Sequence, residues 1–135
     1  MQAAEALEGY RSTWEHKPSL RIVYDDMYDR IVTTCRSGPT IEIGGGIGNF
    51  KEKLRDAITT DIQFAPWLDC IADAQQLPFA TASASNIVMV DVLHHSEFPI
   101  NFFREAARIL HDGGRVLMVE PAITWGQHTL LHAVA

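Results

Sequence analysis

An acid followed by closely spaced glycines, Glu42-Ile43-Gly44-Gly45-Gly46-Ile47-Gly48, is the first place where residue types and spacing could do chemistry. Glycines let a backbone pass close to a ligand and aim amide N–H groups at it. Glu42 lies inside an apolar stretch, where a carboxylate is costly unless paired. Single acids follow at Asp61, Asp73 and Asp91, then a histidine pair, His94-His95. A carboxylate can accept from both vicinal hydroxyls of a ribose, which suits Asp61. Imidazole titrates near neutrality, which makes His94 and His95 candidate general bases.

Two readings of the glycines fail on spacing. The dinucleotide fingerprint G-x-G-x-x-G needs a third glycine where Asn49 or Lys51 stands, and no Gly-Lys-Ser/Thr follows as a P-loop requires. The pattern that fits is Glu42-x-Gly44-x-Gly46-x-Gly48. Asp25-Asp26-Met27-Tyr28-Asp29 spells D-D-x-x-D, a magnesium-diphosphate pattern of large all-helical enzymes; in this short, strand-rich chain it reads as a solvated acidic helix face. His94, His95 and Glu97 do not share a face, so no metal is assigned. Cys35 and Cys70 form no Cys-x-x-Cys pair and read as reduced thiols of a cytoplasmic protein.

These residues need elements to position them. The chain has 135 residues, enough for one domain, and a net charge of −6, which disfavours a nucleic-acid or anionic-membrane binder. No apolar run is long enough to span a bilayer, and the N-terminus carries no signal-peptide pattern. Ser19 is a plausible cap for a helix with Leu20, Tyr24, Met27 and Ile31 on one face, ended by Ser37-Gly38-Pro39. Tyr10 and Trp14 lie upstream of it as candidate lid residues. Strands are expected at Thr40–Ile43, Ala57–Thr60, Leu68–Ile71, Ile87–Val90 and Arg115–Glu120. Helices are expected around Ile47, Phe50 and Leu54, and from Pro99 to His111 with Ile100, Phe103, Ala107 and Leu110 inward. Alternation of this kind indicates an α/β fold with a mostly parallel sheet, whose ligands bind beyond the carboxyl ends of the strands.

With these residues in place, the chain resembles the class I methyltransferases that use S-adenosylmethionine, in particular the small-molecule branch typified by ubiquinone/menaquinone-biosynthesis enzymes. The resemblance rests on E-x-G-x-G-x-G, Asp61, Asp73-Ala74 with Leu77-Pro78-Phe79, Val92-Leu93-His94-His95, Arg104-Glu105-Ala106-Ala107-Arg108-Ile109-Leu110, Gly113-Gly114-Arg115 and Glu120-Pro121. It runs in order from Thr40 to Pro121. Asn86 departs from the acid usual at the head of strand four. The resemblance implies a Rossmann-like sheet of order 3-2-1-4-5. It implies a cofactor site of Glu42, Gly44, Gly45, Gly46, Gly48, Asp61, Ile62, Asp73, Ala74 and Asp91. Asp61 would take the ribose hydroxyls, Ile62 the adenine face, Asp73 the adenine amino group, and the Ala74 amide the ring. Glu42 would orient the glycine-rich loop and the cationic methionine end.

The resulting expectation is methyl transfer to a small-molecule O, N or C nucleophile, with no nucleic acid and no membrane span. A degenerate methyltransferase-fold binding module and an NAD(P)-dependent Rossmann oxidoreductase are the rivals. Residues 1–37 would form a helical arm, 38–121 the cofactor-binding core, and 122–135 the start of a C-terminal segment. The family's sheet continues past strand five with a helix and two strands. Strand five would otherwise be an exposed edge, so the expectation is a shortened chain or a homo-oligomer that covers it.

Overall fold

The structure, a computed structural model, describes residues 2–121. Strand β1, Thr40–Ile43, is buried along its whole length. Side chains alternate faces along a strand. Ile41 and Ile43 therefore enter an apolar cluster with Ile87, Met89, Phe102, Ala106 and Ile109. Glu42 falls on the opposite side, in register with Val88, which belongs to a second cluster with Trp14, Tyr28, Ile31 and Phe50. The sheet thus has apolar matter on both faces, as parallel sheets require.

The other strands are β2, Ile58–Asp61; β3, Cys70–Ile71; β4, Ala84–Val90; and β5, Leu110–Val119. Their order is β3-β2-β1-β4-β5, with every neighbouring pair parallel. This is the expected 3-2-1-4-5 Rossmann-like sheet. Helices α1, Gln2–His16, and α2, Pro18–Thr34, cover one face. Helix α3, Pro99–Ile109, covers the other. Residues 122–135, with the expected C-terminal segment, lie outside the described residues.

Several local expectations need correction. Helix α2 starts at Pro18 with Lys17 as N-cap and no side-chain cap, so Ser19 is inside the first turn. Proline at the first position loses nothing, because its missing N–H would have been unpaired there. Tyr10 and Trp14 belong to α1. Trp14, only 4% exposed, is a core residue, whereas Tyr10 is 64% exposed. The expected helix after β1 is a single 3₁₀ turn, Asn49–Glu52. The chain must return to β2 by Ile58, and a 3₁₀ turn rises about 2 Å per residue, faster than an α-helix. In α3 the inward face is Phe102, Ala106 and Ile109, while Ile100 and Phe103 are exposed. Two apolar stripes run side by side on this helix, and periodicity alone picked the wrong one. Gly113-Gly114 does not end α3; the helix passes directly into β5, where residues 111–114 bulge out between the pairs Ala84–Leu110 and Asn86–Arg115.

Asn86 shows why the head of β4 carries an amide rather than an acid. It is fully buried. Its Oδ1 accepts from Arg36 N at 2.8 Å, and its Nδ2 donates to Arg36 O at 2.8 Å and Thr40 Oγ1 at 2.9 Å. A carboxylate could accept from Arg36 N and from the Thr40 hydroxyl, but it has no donor for Arg36 O. Replacing Asn86 with Ala strands these partners, so Asn86→Ala should cost about 2–4 kcal/mol of stability in urea unfolding, and Asn86→Asp should also destabilise.

Candidate functional site

The carboxyl ends of β1, β2, β3 and β4 meet at one rim of the sheet, and the glycine-rich turn crosses it. Gly44 has φ 72° and Gly46 φ 48°, values that side chains rarely adopt. A Cβ on Gly44 would also stand 2.3 Å from Val92 Cγ2, and one on Gly45 would stand 2.9 Å from Glu42 Oε2. The turn is tied to β2, because Gly45 N donates to Thr60 O at 2.7 Å and Gly46 N to Asp61 Oδ2 at 3.0 Å. Trp67 Nε1 donates to Gly46 O at 2.9 Å.

Two adjoining cavities lie against this turn. The smaller, about 250 Å³, is roofed by Tyr10, Trp14, Tyr24 and Tyr28 and floored by Glu42 and Gly44–Gly46. The larger, about 780 Å³, runs along the strand ends past Asp61, Ile62, Asp73, Ala74, Asp91 and His95. No lysine or arginine lines either cavity among the described residues.

Glu42 is 4% exposed, and its Oε2 is buried without a hydrogen-bond partner. Burial, reinforced by the negative charge of Asp61, pushes its carboxyl up to about 8, against a smaller opposing pull from Lys51. Asp61 is half-buried; besides Gly46 N, its Oδ1 accepts from Gln63 N at 2.9 Å. Each oxygen thus positions one loop and retains a lone pair for a ligand. Ile62 is exposed at the cavity wall. Asp73 Oδ1 accepts from Gln75 N at 2.8 Å, holding the turn that contains Ala74. Asp91 has φ 57° and accepts from Tyr24 OH at 3.3 Å. Burial and then Asp91 raise the Tyr24 phenol above its usual value, so it remains a donor.

The two histidines lie on a 3₁₀ turn, Leu93–His95, and their rings pack together with centroids 4.0 Å apart. They differ in what else they meet: His94 Nδ1 lies 2.7 Å from Glu120 Oε2, and of the two only His95 lines the larger cavity. Glu120 also accepts from Val92 N at 3.0 Å and Leu93 N at 2.7 Å, which fixes the loop after β4. Gly48 flanks the turn and is not part of either cavity wall.

Tyr24, read from the sequence only as part of a packed stripe, lines both cavities. Asn49, where a dinucleotide fingerprint would want glycine, is buried and accepts from Tyr28 OH at 2.9 Å, bracing α2. The D-D-x-x-D acids pair with cations: Asp25 and Asp29 with Lys53, and Asp26 with Arg30. Among the described residues, no group of three or more His, Cys, Asp or Glu is arranged to hold a metal ion, and no helix is long and apolar enough to cross a membrane.

Comparison with known proteins agrees with this arrangement. The family model described as a methyltransferase domain matches residues 41–118. No curated protein matches the chain. A Thermotoga maritima structure described as a SAM-dependent methyltransferase, possible histamine N-methyltransferase, superimposes with a TM-score of 0.78 at 20% identity, covering 97% of this chain and 67% of that one. A Methanococcus maripaludis structure, a putative S-adenosyl-L-methionine-dependent methyltransferase, gives 0.68 at 16% identity, covering 97% and 69%. A Haloferax volcanii putative methyltransferase, solved in complex with the Trm112 methyltransferase activator, gives 0.57 at 18% identity, covering 78% and 57%. This chain therefore spans 57–69% of the length of these three structures. With the domain model matching more than half of its length, on the fold of these structures, the chain belongs to the methyltransferase-domain family.

Proposed function

We propose that the two cavities together bind S-adenosylmethionine, with the methionine end over Glu42 and the adenosine along Asp61 and Asp73, for methyl transfer to a small-molecule O, N or C nucleophile. The observation that carries this reading is the orphaned, buried Glu42 Oε2 beneath the glycine-rich turn. A carboxylate in that position calls for a cationic donor, and an α-ammonium group provides one. The acidic linings, without lysine or arginine among the described residues, support a cationic ligand. Asp61 and Asp73 offer acceptors to ribose hydroxyls and an exocyclic amine, with Ile62 as an apolar surface for the base. Asp91 completes the polar wall where the two cavities meet.

The bound cofactor supplies an activated methyl on a sulfonium. The chain contributes alignment and exclusion of water, which are worth effective molarities of order 10⁵ M or more at their upper scale. Helices α1 and α2 shield the methionine end through Tyr10, Trp14 and Tyr24. Of the two candidate bases, His95 is the one able to meet an acceptor, because His94 is engaged by Glu120. A cytoplasmic location is part of this reading, supported by two free thiols, Cys35 and Cys70.

The assigned partner for β5 is a second copy of the chain. Its outer edge has no strand neighbour among the described residues. Beside it a groove of about 520 Å³ carries Met27, Ile31, Leu117, Met118 and Val119, an apolar strip that a two-fold copy could cover, with the Asp26–Arg30 pair at its rim. Sedimentation equilibrium should show a dimer, and a concentration-independent monomer removes this assignment.

Titration calorimetry should find micromolar binding of S-adenosylmethionine or S-adenosylhomocysteine and none of NAD; the reverse result overturns the reading. Asp61→Ala should weaken binding by about 1.5–3 kcal/mol through loss of charge-assisted hydrogen bonds. Glu42 gives a pH signature. Its carboxyl is held at about 8 in the folded chain against 4.5 unfolded, so the folded state keeps a proton that the unfolded state releases. Stability of the ligand-free protein should fall as pH rises between these values, by up to about 1.4 kcal/mol per pH unit, and Glu42→Gln should flatten the profile.

A further inference from the structure

The segment between β3 and β4 carries Asp73 and Ala74 with little regular structure to hold them. Strand β3 ends at Ile71, and the segment's own pairing is one isolated bridge, Asp73–Gln76. At its start, Ala72 N donates to Asp61 O at 2.9 Å. Its far end is held by a pair of side chains on the opposite side of the chain's sequence, Glu105 and Arg108 of α3. Leu77 N donates to Glu105 Oε2 at 2.8 Å. Arg108 donates from Nη2 to Leu77 O at 3.0 Å and from Nη1 to Phe79 O at 2.7 Å. The same guanidinium grips Glu105 through Nε at 2.9 Å and Nη2 at 2.7 Å.

All three guanidinium nitrogens are therefore used, and a planar fork is the side chain that can do this. The neighbouring guanidinium holds the Glu105 carboxyl down to about 2, so the pair stays ionised well into acid. Helix α3 is itself locked to the sheet by Phe102, Ala106 and Ile109, and Phe102 also lines the larger cavity. The clamp thus refers the Asp73–Phe79 segment to the rigid core.

We propose that Glu105 and Arg108 form a positioning pair for recognition of the ligand's base, fixing Asp73 and Ala74 at the base end of the larger cavity by gripping the backbone of Leu77 and Phe79. This rests on the cofactor reading above. Asp73 Oδ1 already holds Gln75 N, so the carboxylate's remaining capacity is that of an acceptor. An acceptor favours adenine, which presents an amino group, over hypoxanthine, which presents a carbonyl oxygen in its place. That preference depends on where the segment is held.

The test is calorimetric binding of S-adenosylhomocysteine and S-inosylhomocysteine to the full chain. The unsubstituted protein should prefer the adenine form by about tenfold or more, because two facing acceptors leave each other unpaired. In Arg108→Gln, adenine-form affinity should fall about tenfold and the preference should shrink towards unity. Arg108→Lys, which keeps the charge and loses the fork, should fall between. Asn86→Ala, destabilised from the opposite end of the sheet, should keep the ratio. Should Arg108→Gln not fold, Glu105→Gln reads the same ratio. An unchanged ratio in the clamp variants, or an equal loss in Asn86→Ala, overturns the positioning role. Failure of the unsubstituted protein to bind either ligand overturns the cofactor reading itself, a result distinct from failure of the clamp.

Discussion

A carboxylate buried in the middle of a parallel sheet is the constraint around which this molecule is arranged. Strand alternation leaves no choice about the face: with Ile41 and Ile43 committed to the cluster beneath α3, Glu42 must point towards α2. There it finds no protein partner for Oε2. Its position also dictates its surroundings. A Cβ at Gly45 would meet the carboxylate at 2.9 Å, so any side chain there would displace it. The Tyr28 phenol is held up first by burial and then by the same negative charge, so it stays protonated and donates to Asn49. Turn, cavity and the packing of α2 all follow from one acid that a purely structural core would not contain.

The rest of the site is held in place by carboxylates that each do two things. Asp61 bonds the amides of Gly46 and Gln63, so the residue suited to a ribose also aligns the turn and the following loop. Glu120 gathers Val92 N, Leu93 N and His94 Nδ1, fixing the loop from the next strand over. Asp91 adopts a left-handed backbone, strain of order 1–3 kcal/mol for a residue with a side chain. It persists because the surroundings over-determine it: Asp91 N donates to Val119 O at 2.9 Å, and Tyr24 OH holds its carboxylate.

The sequence was legible where local chemistry and tertiary demand agree. All five strands could be read, because short apolar runs separated by glycine and proline leave few alternatives; their order came from the family resemblance. The glycine-rich turn and the strand-end acids could be read for the same reason, since their positions follow from strand ends. Legibility failed where tertiary packing chose between locally equivalent options. Helix α3 has two apolar stripes, and only the fit of Phe102 into the core decides between them. The crossover after β1 has helical spacing at Ile47, Phe50 and Leu54, yet the short distance back to β2 leaves room for one 3₁₀ turn. Histidines adjacent in sequence read as one feature; their rings do pack together, yet Glu120 holds His94 while only His95 lines the larger cavity. The bonds of Arg108 to Leu77 O and Phe79 O connect residues far apart in sequence, and no local pattern encodes such a grip.

The physical case against a dinucleotide in this site extends beyond a missing glycine. Dinucleotide folds place a pyrophosphate at the N-terminus of an α-helix, where aligned peptide dipoles and free amides stabilise its charge. Here the element after the glycine-rich turn is a single 3₁₀ turn of four residues, too short to sum a useful dipole. Its first residue, Asn49, is buried and bonded to Tyr28, so the turn cannot give way to a bulkier phosphate. The walls then act in the same direction: Asp61, Asp73, Asp91 and Glu97 line the larger cavity, and among the described residues no lysine or arginine shares that lining. In a partly desolvated cleft, such a field disfavours a doubly charged pyrophosphate and favours a ligand carrying a sulfonium and an ammonium. Charge sign, more than the glycine count, distinguishes the two cofactors that this fold could hold.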